Sequence, residues 1–311
     1  MVDYSESVPE PTAPRPGILL VDKPAAHTSH DAVARVRRLA GTRKVGHAGT
    51  LDPMATGLLV LGVRSSTRLL TFIVGLDKEY LATIRLGQVT STDDAEGEVT
   101  ETADAALVAA VTDDAIVVGI EPLTGAIEQV PSSVSAIKVG GMRAYALARE
   151  GIEVELRSRS VTVSEFDILE IRRGDGFVDI DVRVVCSSGT YIRALARDLG
   201  ASLGVGGHLT ALRRTRIGPF LVADASTIDE LDVATSLLAP ADVARELFGS
   251  LDLTEQEAID LSHGKRLARD LPDGHTGPIA AIAPDGHLVG LVERRGDTLR
   301  SVVNFPAEES A

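Results

Sequence analysis

Apolar positions along this 311-residue chain recur in short runs of differing period, which predicts an α+β fold rather than regular βαβ repetition. Ile18, Leu19, Leu20 and Val21 read as a short buried strand. Val33, Val36 and Ala40 then share one face of a helix that Ser29 can cap and Gly41 stops. Past a glycine-bearing turn from Gly46 to Gly57, Leu58 to Val63 reads as a fully buried strand and Ser65 to Val74 as a short helix. Tyr80, Ala82, Ile84 and Leu86 alternate as one face of another strand. Asp93 to Asp114 is acidic and alanine-rich, and helix is expected within it. Gly125 to Gly151 should begin as a Pro-Ser loop and end in a helix near Ala144 to Arg149. Val178, Ile180, Val182 and Val184 alternate as a strand, and Ile192, Leu195, Leu199 and Leu203 mark the buried side of a helix whose N-terminus carries Tyr191 and Arg193.

Both ends of the chain differ in character from this middle. Met1 to Pro16 is rich in Pro, Ser and Glu and offers little that could pack, so residues 1–16 read as a disordered tail. Past Pro240 comes a compact unit: an acidic helix from Thr254 to Ser262, then strands Pro278 to Ala283 and Leu288 to Glu293. Pro284-Asp285-Gly286 joins these strands as a hairpin turn, because Pro presets one turn dihedral and Gly accepts the positive one. The expected organisation is therefore a main domain over 17–240 and a small β-rich domain over 241–311.

Charge changes this picture locally. The formal net charge of −14 argues against a nucleic-acid partner, since phosphate is bound through local positive charge. From Arg15 to Arg68, however, nine Lys and Arg face three Asp, and from Arg183 to Arg216 six Arg face Asp198 alone. These two basic stretches permit an anionic ligand. Cys186 is the only cysteine, which excludes an internal disulfide and a multi-cysteine zinc site and fits a reducing compartment. The longest apolar stretch, Gly57 to Val63, is far short of the ~20 residues of a membrane span, and no basic start with an apolar signal core opens the chain. A cytoplasmic protein is expected.

The most informative segment is Gly46-His47-Ala48-Gly49-Thr50-Leu51-Asp52-Pro53-Met54-Ala55-Thr56-Gly57. Its glycines allow close backbone approach, and Pro53 biases Asp52 toward an extended conformation, so the Asp52 carboxylate is a fixed acid. An Asp in such a turn is more often a turn-former or cap than a catalyst, and His47 alone is more often a packed or hydrogen-bonded histidine. Neither a Walker phosphate loop nor a dinucleotide fingerprint matches.

This segment resembles the signature of the bacterial tRNA pseudouridine-55 synthase (TruB) family, approximately Gly-His-x-Gly-x-Leu-Asp-Pro-x-Ala-x-Gly. Further family-like stretches follow in order: Leu20-Val21-Asp22-Lys23-Pro24, Asp77-Lys78-Glu79-Tyr80, Ser135-Ala136-Ile137-Lys138, Ser188-Gly189-Thr190-Tyr191-Ile192-Arg193 and Leu209 to Arg214. The resemblance covers roughly Gly17 to Phe220. Where many family members carry a paired proline, this chain has Pro131-Ser132-Ser133-Val134. Past Pro240 the likeness to the family's PUA-type RNA-binding domain rests on a Leu-Thr-x-x-Glu-Ala helix and Gly264.

The resemblance implies a mixed, mainly antiparallel sheet with flanking helices and a small β-rich PUA-like C-terminal domain. It implies an isomerase that turns uridine 55 in the T-loop of tRNAs into pseudouridine on a flipped-out base, with Asp52 as nucleophile or equivalent carboxylate. Arg193 would pair with Asp52 and keep it ionised, and Tyr191 would contact the base and take part in proton transfer. Tyr80 would stack on the base, while His47 and Leu212 would line the pocket. Lys23, Arg43 and Lys44 are candidate contacts to the RNA backbone, Lys23 having a structural role as its alternative. No cofactor and no metal are needed, tRNA is the partner, and a monomer is expected. The competing readings are a related synthase with another RNA target, an RNA-binding factor with a vestigial site, and a sugar hydrolase. The last would need a second carboxylate, for which the sequence offers no obvious candidate.

Overall fold

A computed structural model describes residues 15–132, 138–139, 142–143, 157–271 and 275–306. The expected tail therefore lies outside the described residues apart from Arg15 and Pro16, and so does the helix expected near Ala144 to Arg149. In chain order the strands are β1 (Gly17–Lys23), β2 (Val45–His47), β3 (Thr56–Val63), β4 (Lys78–Leu86), β5 (Gln88–Thr90), β6 (Val99–Thr102) and β7 (Gly125–Gln129). They continue as β8 (Lys138–Val139), β9 (Met142–Arg143), β10 (Arg159–Gly174), β11 (Phe177–Cys186), β12 (Gly207–Ile217), β13 (Phe220–Leu221) and β14 (Ser226–Thr227). The last four are β15 (Ser250–Asp252), β16 (Ile279–Ile282), β17 (Leu288–Arg295) and β18 (Thr298–Asn304).

Ten of these strands form one sheet in the order β14-β1-β3-β12-β4-β11-β10-β7, with β2 beside β3 and β13 beside β12. Within it only β1–β14 and β3–β12 pair in parallel, so the sheet is mixed and mainly antiparallel, as the resemblance implies. Alternation in β4 and β11 puts Tyr80, Ala82, Ile84 and Leu86 on one face with Ile180, Val182 and Val184. The helix Ile192–Ser202 closes the core they form, contributing Ile192, Leu195, Ala196 and Leu199.

The β1/β3 half of the sheet is buried on both sides. Leu19, Val21, Leu59 and Leu61 pack against the helix Ser29–Leu39, and Ile18, Leu20, Leu58 and Val60 pack toward the C-terminal end of the chain. That helix is capped by Thr28, in a capping box with Asp31, and not by Ser29. Ser29 is buried and has a different task at the site.

Several elements differ from the sequence pattern for physical reasons. Ser65 to Val74 divides into a 3-10 turn, Arg64–Arg68, and a short helix, Leu70–Val74. In the acidic stretch, helix is confined to Ala105–Ala110 and Asp113–Ile120, capped by Asp104 and Thr112. Gly125–Gln129 is an edge strand rather than a loop. The strands β10 and β12 escape the pattern because each carries two β-bulges, which break the period-two alternation.

The C-terminal strands form a separate four-stranded sheet, β15-β16-β17-β18, beside the helix Glu255–Ser262 with its Thr254/Glu257 capping box. Its core is its own on one side. On the other side Ala280, Ile282, Leu288 and Leu291 share a core with Ile18, Leu58 and Val60, and Ala241, Val243 and Ala244 of the helix Pro240–Phe248 belong to the same core. Among the described residues no helix is long and apolar enough to cross a membrane.

Candidate active site

The turn between β2 and β3 is clamped from several sides. The Ser29 hydroxyl accepts the Leu51 N–H at 2.8 Å and donates to the Leu51 carbonyl at 3.1 Å. Lys23 is fully buried, and its ammonium donates to the carbonyls of Pro24, His27 and Pro53 at 2.8, 2.6 and 3.3 Å. Arg214, 1% exposed, donates from Nε to Leu58 O at 2.8 Å and from Nη2 to Gly49 O at 3.1 Å. The turn leaves through Gly57, whose φ is +101°, and a Cβ there would lie 2.2 Å from Arg214 O. Only glycine permits that approach of β3 to β12.

Leu51 and Ala55 anchor the turn in the core, and Asp52 opens on a cavity of about 250 Å³, just under the usual range for a small-molecule site. Asp52 lies 3.0 Å from Arg193 Nε, with 35% of its side chain accessible against 4% for Arg193. Burial is the largest influence on Asp52 and pushes its pKa up; Arg193 acts against it and Asp94 adds to it. Arg193 thus favours the ionised form of Asp52, while desolvation acts more strongly in the opposite direction.

Arg193 also meets Asp94, at 3.4 Å, and donates to the Thr92 carbonyl at 2.8 Å. Asp94 is 2% exposed and accepts from the Thr92 hydroxyl and the Glu96 N–H. A second carboxylate stands behind Arg193, but it does not line the cavity and is buried against the guanidinium. Nothing in an acidic, alanine-rich stretch marks one Asp as buried, so the sequence holds no signal for it.

Tyr80, Tyr191, Leu212 and Arg193 line the same cavity as Asp52. Burial pushes the Tyr80 phenol up, and Arg214 acts in the opposite direction. His47 does not line the cavity; it stands on β2 with its ring edge-on to His30 at 5.8 Å. Burial pushes Lys23 down to about 8, and its three carbonyl bonds favour the structural role over contact with phosphate. Arg43 and Lys44 are exposed. The cavity also takes in Lys78 and Arg214, which the sequence pattern does not assign to it. Burial pushes Lys78 down to about 8 and the Cys186 thiol up to about 11.

The second basic stretch is largely paired within the chain. Arg183 pairs with Glu79, Glu165 and Asp167, Arg197 with Asp93 and Asp198, and Arg213 with Asp22. Arg193 and Arg214 are engaged as well, with carboxylates and backbone carbonyls of the chain itself. Among the described residues no group of three or more His, Cys, Asp and Glu could hold a metal ion.

Sheet, cleft and family models together define the class, a pseudouridylate synthase. Residues 37–192 match the model "TruB family pseudouridylate synthase (N terminal domain)", 193–249 match "tRNA pseudouridylate synthase B C-terminal domain" and 248–306 match "tRNA Pseudouridine synthase II, C terminal". The chain belongs to the TruB family. It is 63% identical to the tRNA pseudouridine synthase B of Leifsonia xyli, over 95% of this chain and 98% of that one. It is 55% identical to that of Thermobifida fusca, over 93% and 98%. A solved Cbf5-Nop10-Gar1 complex contains a chain with the same fold, at a TM-score of 0.68 and 24% identity over 94% of this chain and 86% of that one.

Proposed function

We propose that this chain isomerises uridine 55 in the T-loop of tRNAs to pseudouridine, using Asp52 on a flipped-out base. The observation that carries the reading is Asp52 held 3.0 Å from Arg193 in a cavity shared with Tyr80, Tyr191 and Leu212. The reaction breaks an N-glycosidic bond, turns the uracil and joins it through carbon. Asp52 attacks or steadies the sugar or base, Arg193 orients it, and Tyr191 takes up the proton released from carbon. Tyr80 and Leu212 hold the ring, recovering part of the unstacking cost. All atoms of the nucleotide are retained, so the reaction calls for no cofactor.

The relatives' names support tRNA as substrate. On this reading residues 17–240 carry catalysis, 241–311 form a PUA-like RNA-binding domain, and Arg43 and Lys44 meet the RNA backbone. The protein works as a monomer in the cytoplasm. Chemical mapping of pseudouridine in an unmodified tRNA transcript incubated with the purified chain tests this. Modification at uridine 55 is expected; modification only elsewhere, or none, contradicts it.

A further inference from the structure

Gln129, the last residue of the edge strand β7, is 2% exposed. Its side-chain amide makes two hydrogen bonds to one residue: Oε1 accepts the Tyr191 N–H at 2.8 Å, and Nε2 donates to the Tyr191 carbonyl at 3.0 Å. The paired bonds close a ring of the kind two strands make, with a side chain in place of one backbone. They also fix which way the amide faces, since the flipped amide would set donor against donor and acceptor against acceptor.

Tyr191 is the N-cap of the helix Ile192–Ser202, extended at φ −101° and ψ 106°, and its own side chain does not cap the helix. Helical hydrogen bonding begins at its carbonyl, which also accepts the Leu195 N–H at 3.3 Å. Next along the chain from Gln129, the Val130 carbonyl accepts from Arg197 at 2.8 Å. The end of β7 is thus stitched to the helix at two points, about one and a half turns apart.

We propose that Gln129 is a positioning residue for Tyr191: by holding both backbone groups it sets the direction in which the Tyr191 side chain enters the cavity. Gln129 itself does not line the cavity. The inference rests on the reading of Tyr191 as proton acceptor, and the test separates the two.

Single-turnover rates and tRNA affinities are measured for the parent, Gln129→Met, Tyr191→Phe and the double variant. Gln129→Met should slow the reaction about 10- to 100-fold, the scale on which misplacement of a reacting group acts, with affinity within about threefold. Added to Tyr191→Phe, it should slow the reaction by less than about threefold, because residues acting as one unit are not additive. A parent-like rate in Gln129→Met, or the full loss repeated in the Tyr191→Phe background, overturns the proposal. A parent-like rate in Tyr191→Phe overturns the role of Tyr191 instead, and with it the route by which Gln129 acts.

Gln129→Glu guards against loss of fold in the Met variant. An ionised Glu accepts the N–H but repels the carbonyl, whereas a protonated one restores both bonds. Its rate relative to the parent at the same pH should therefore rise as pH falls, and a constant ratio contradicts the proposal.

Discussion

Arg213 and Arg214 are neighbours on β12, yet they belong to opposite faces of the sheet, which treat charge differently. On the outer face Arg213 meets Asp22 at 2.7 Å with 39% of its side chain accessible. Around it Arg85 meets Asp179, Arg172 meets Asp181, and Arg183 meets three carboxylates, all partly exposed. On the cleft side Arg214, Lys23 and Lys78 are 1%, 0% and 5% exposed, and each donates to backbone carbonyls. Exposed pairs exchange water for one another at little net gain. Buried cations act as clamps, because a carbonyl stripped of its donor inside the protein is costly. Charge alone therefore says little about which arginine matters; burial and partner decide.

The largest difference should come from Arg214→Met. It strips buried donors from Gly49 and Leu58, and we expect a loss of about 3 kcal/mol or more in denaturant unfolding, with turnover down at least ~100-fold as the Asp52 turn loosens. A mild effect would erase the contrast between the faces.

Arg193→Met should cost turnover about 100-fold and move the acid limb of the pH profile. Asp52 must be ionised to act and is inactive below its pKa. Burial already raises that pKa and Arg193 lowers it, so removing Arg193 raises it further and the limb moves to higher pH. An unmoved limb would show that Arg193 does not support the charge on Asp52.

Ser29→Ala removes both bonds to Leu51 and should cost about 1–2 kcal/mol, with kcat reduced severalfold and KM little changed. An altered KM alone would place Ser29 in binding instead. Smallest of all, Arg213→Met should change stability by no more than about 1 kcal/mol and leave turnover within about threefold.

Much of the frame is legible in the chain. β1 and β3 follow continuous apolar runs, β4, β11 and the helix Ile192–Ser202 follow clean periodicities, and the expected mixed, mainly antiparallel sheet rests on the family resemblance. The bulged strands β10 and β12 are not legible, since their alternation is broken where it would be read. Of the site, Asp52 stands in a motif, but Ser29, Asp94, Gln129 and Arg214 act through burial and contacts across long sequence separations. In the sequence Ser29 reads as a cap, and Arg214 as one more basic residue in a charged stretch.

The most direct test of Asp52 as the catalytic carboxylate is the single-turnover rate of tritium release from uridine-labelled tRNA by Asp52→Asn, measured with its tRNA affinity. No detectable release is expected, with affinity within about tenfold of the parent, because the amide keeps size but lacks the reactive carboxylate. Release at a rate comparable to the parent would contradict it.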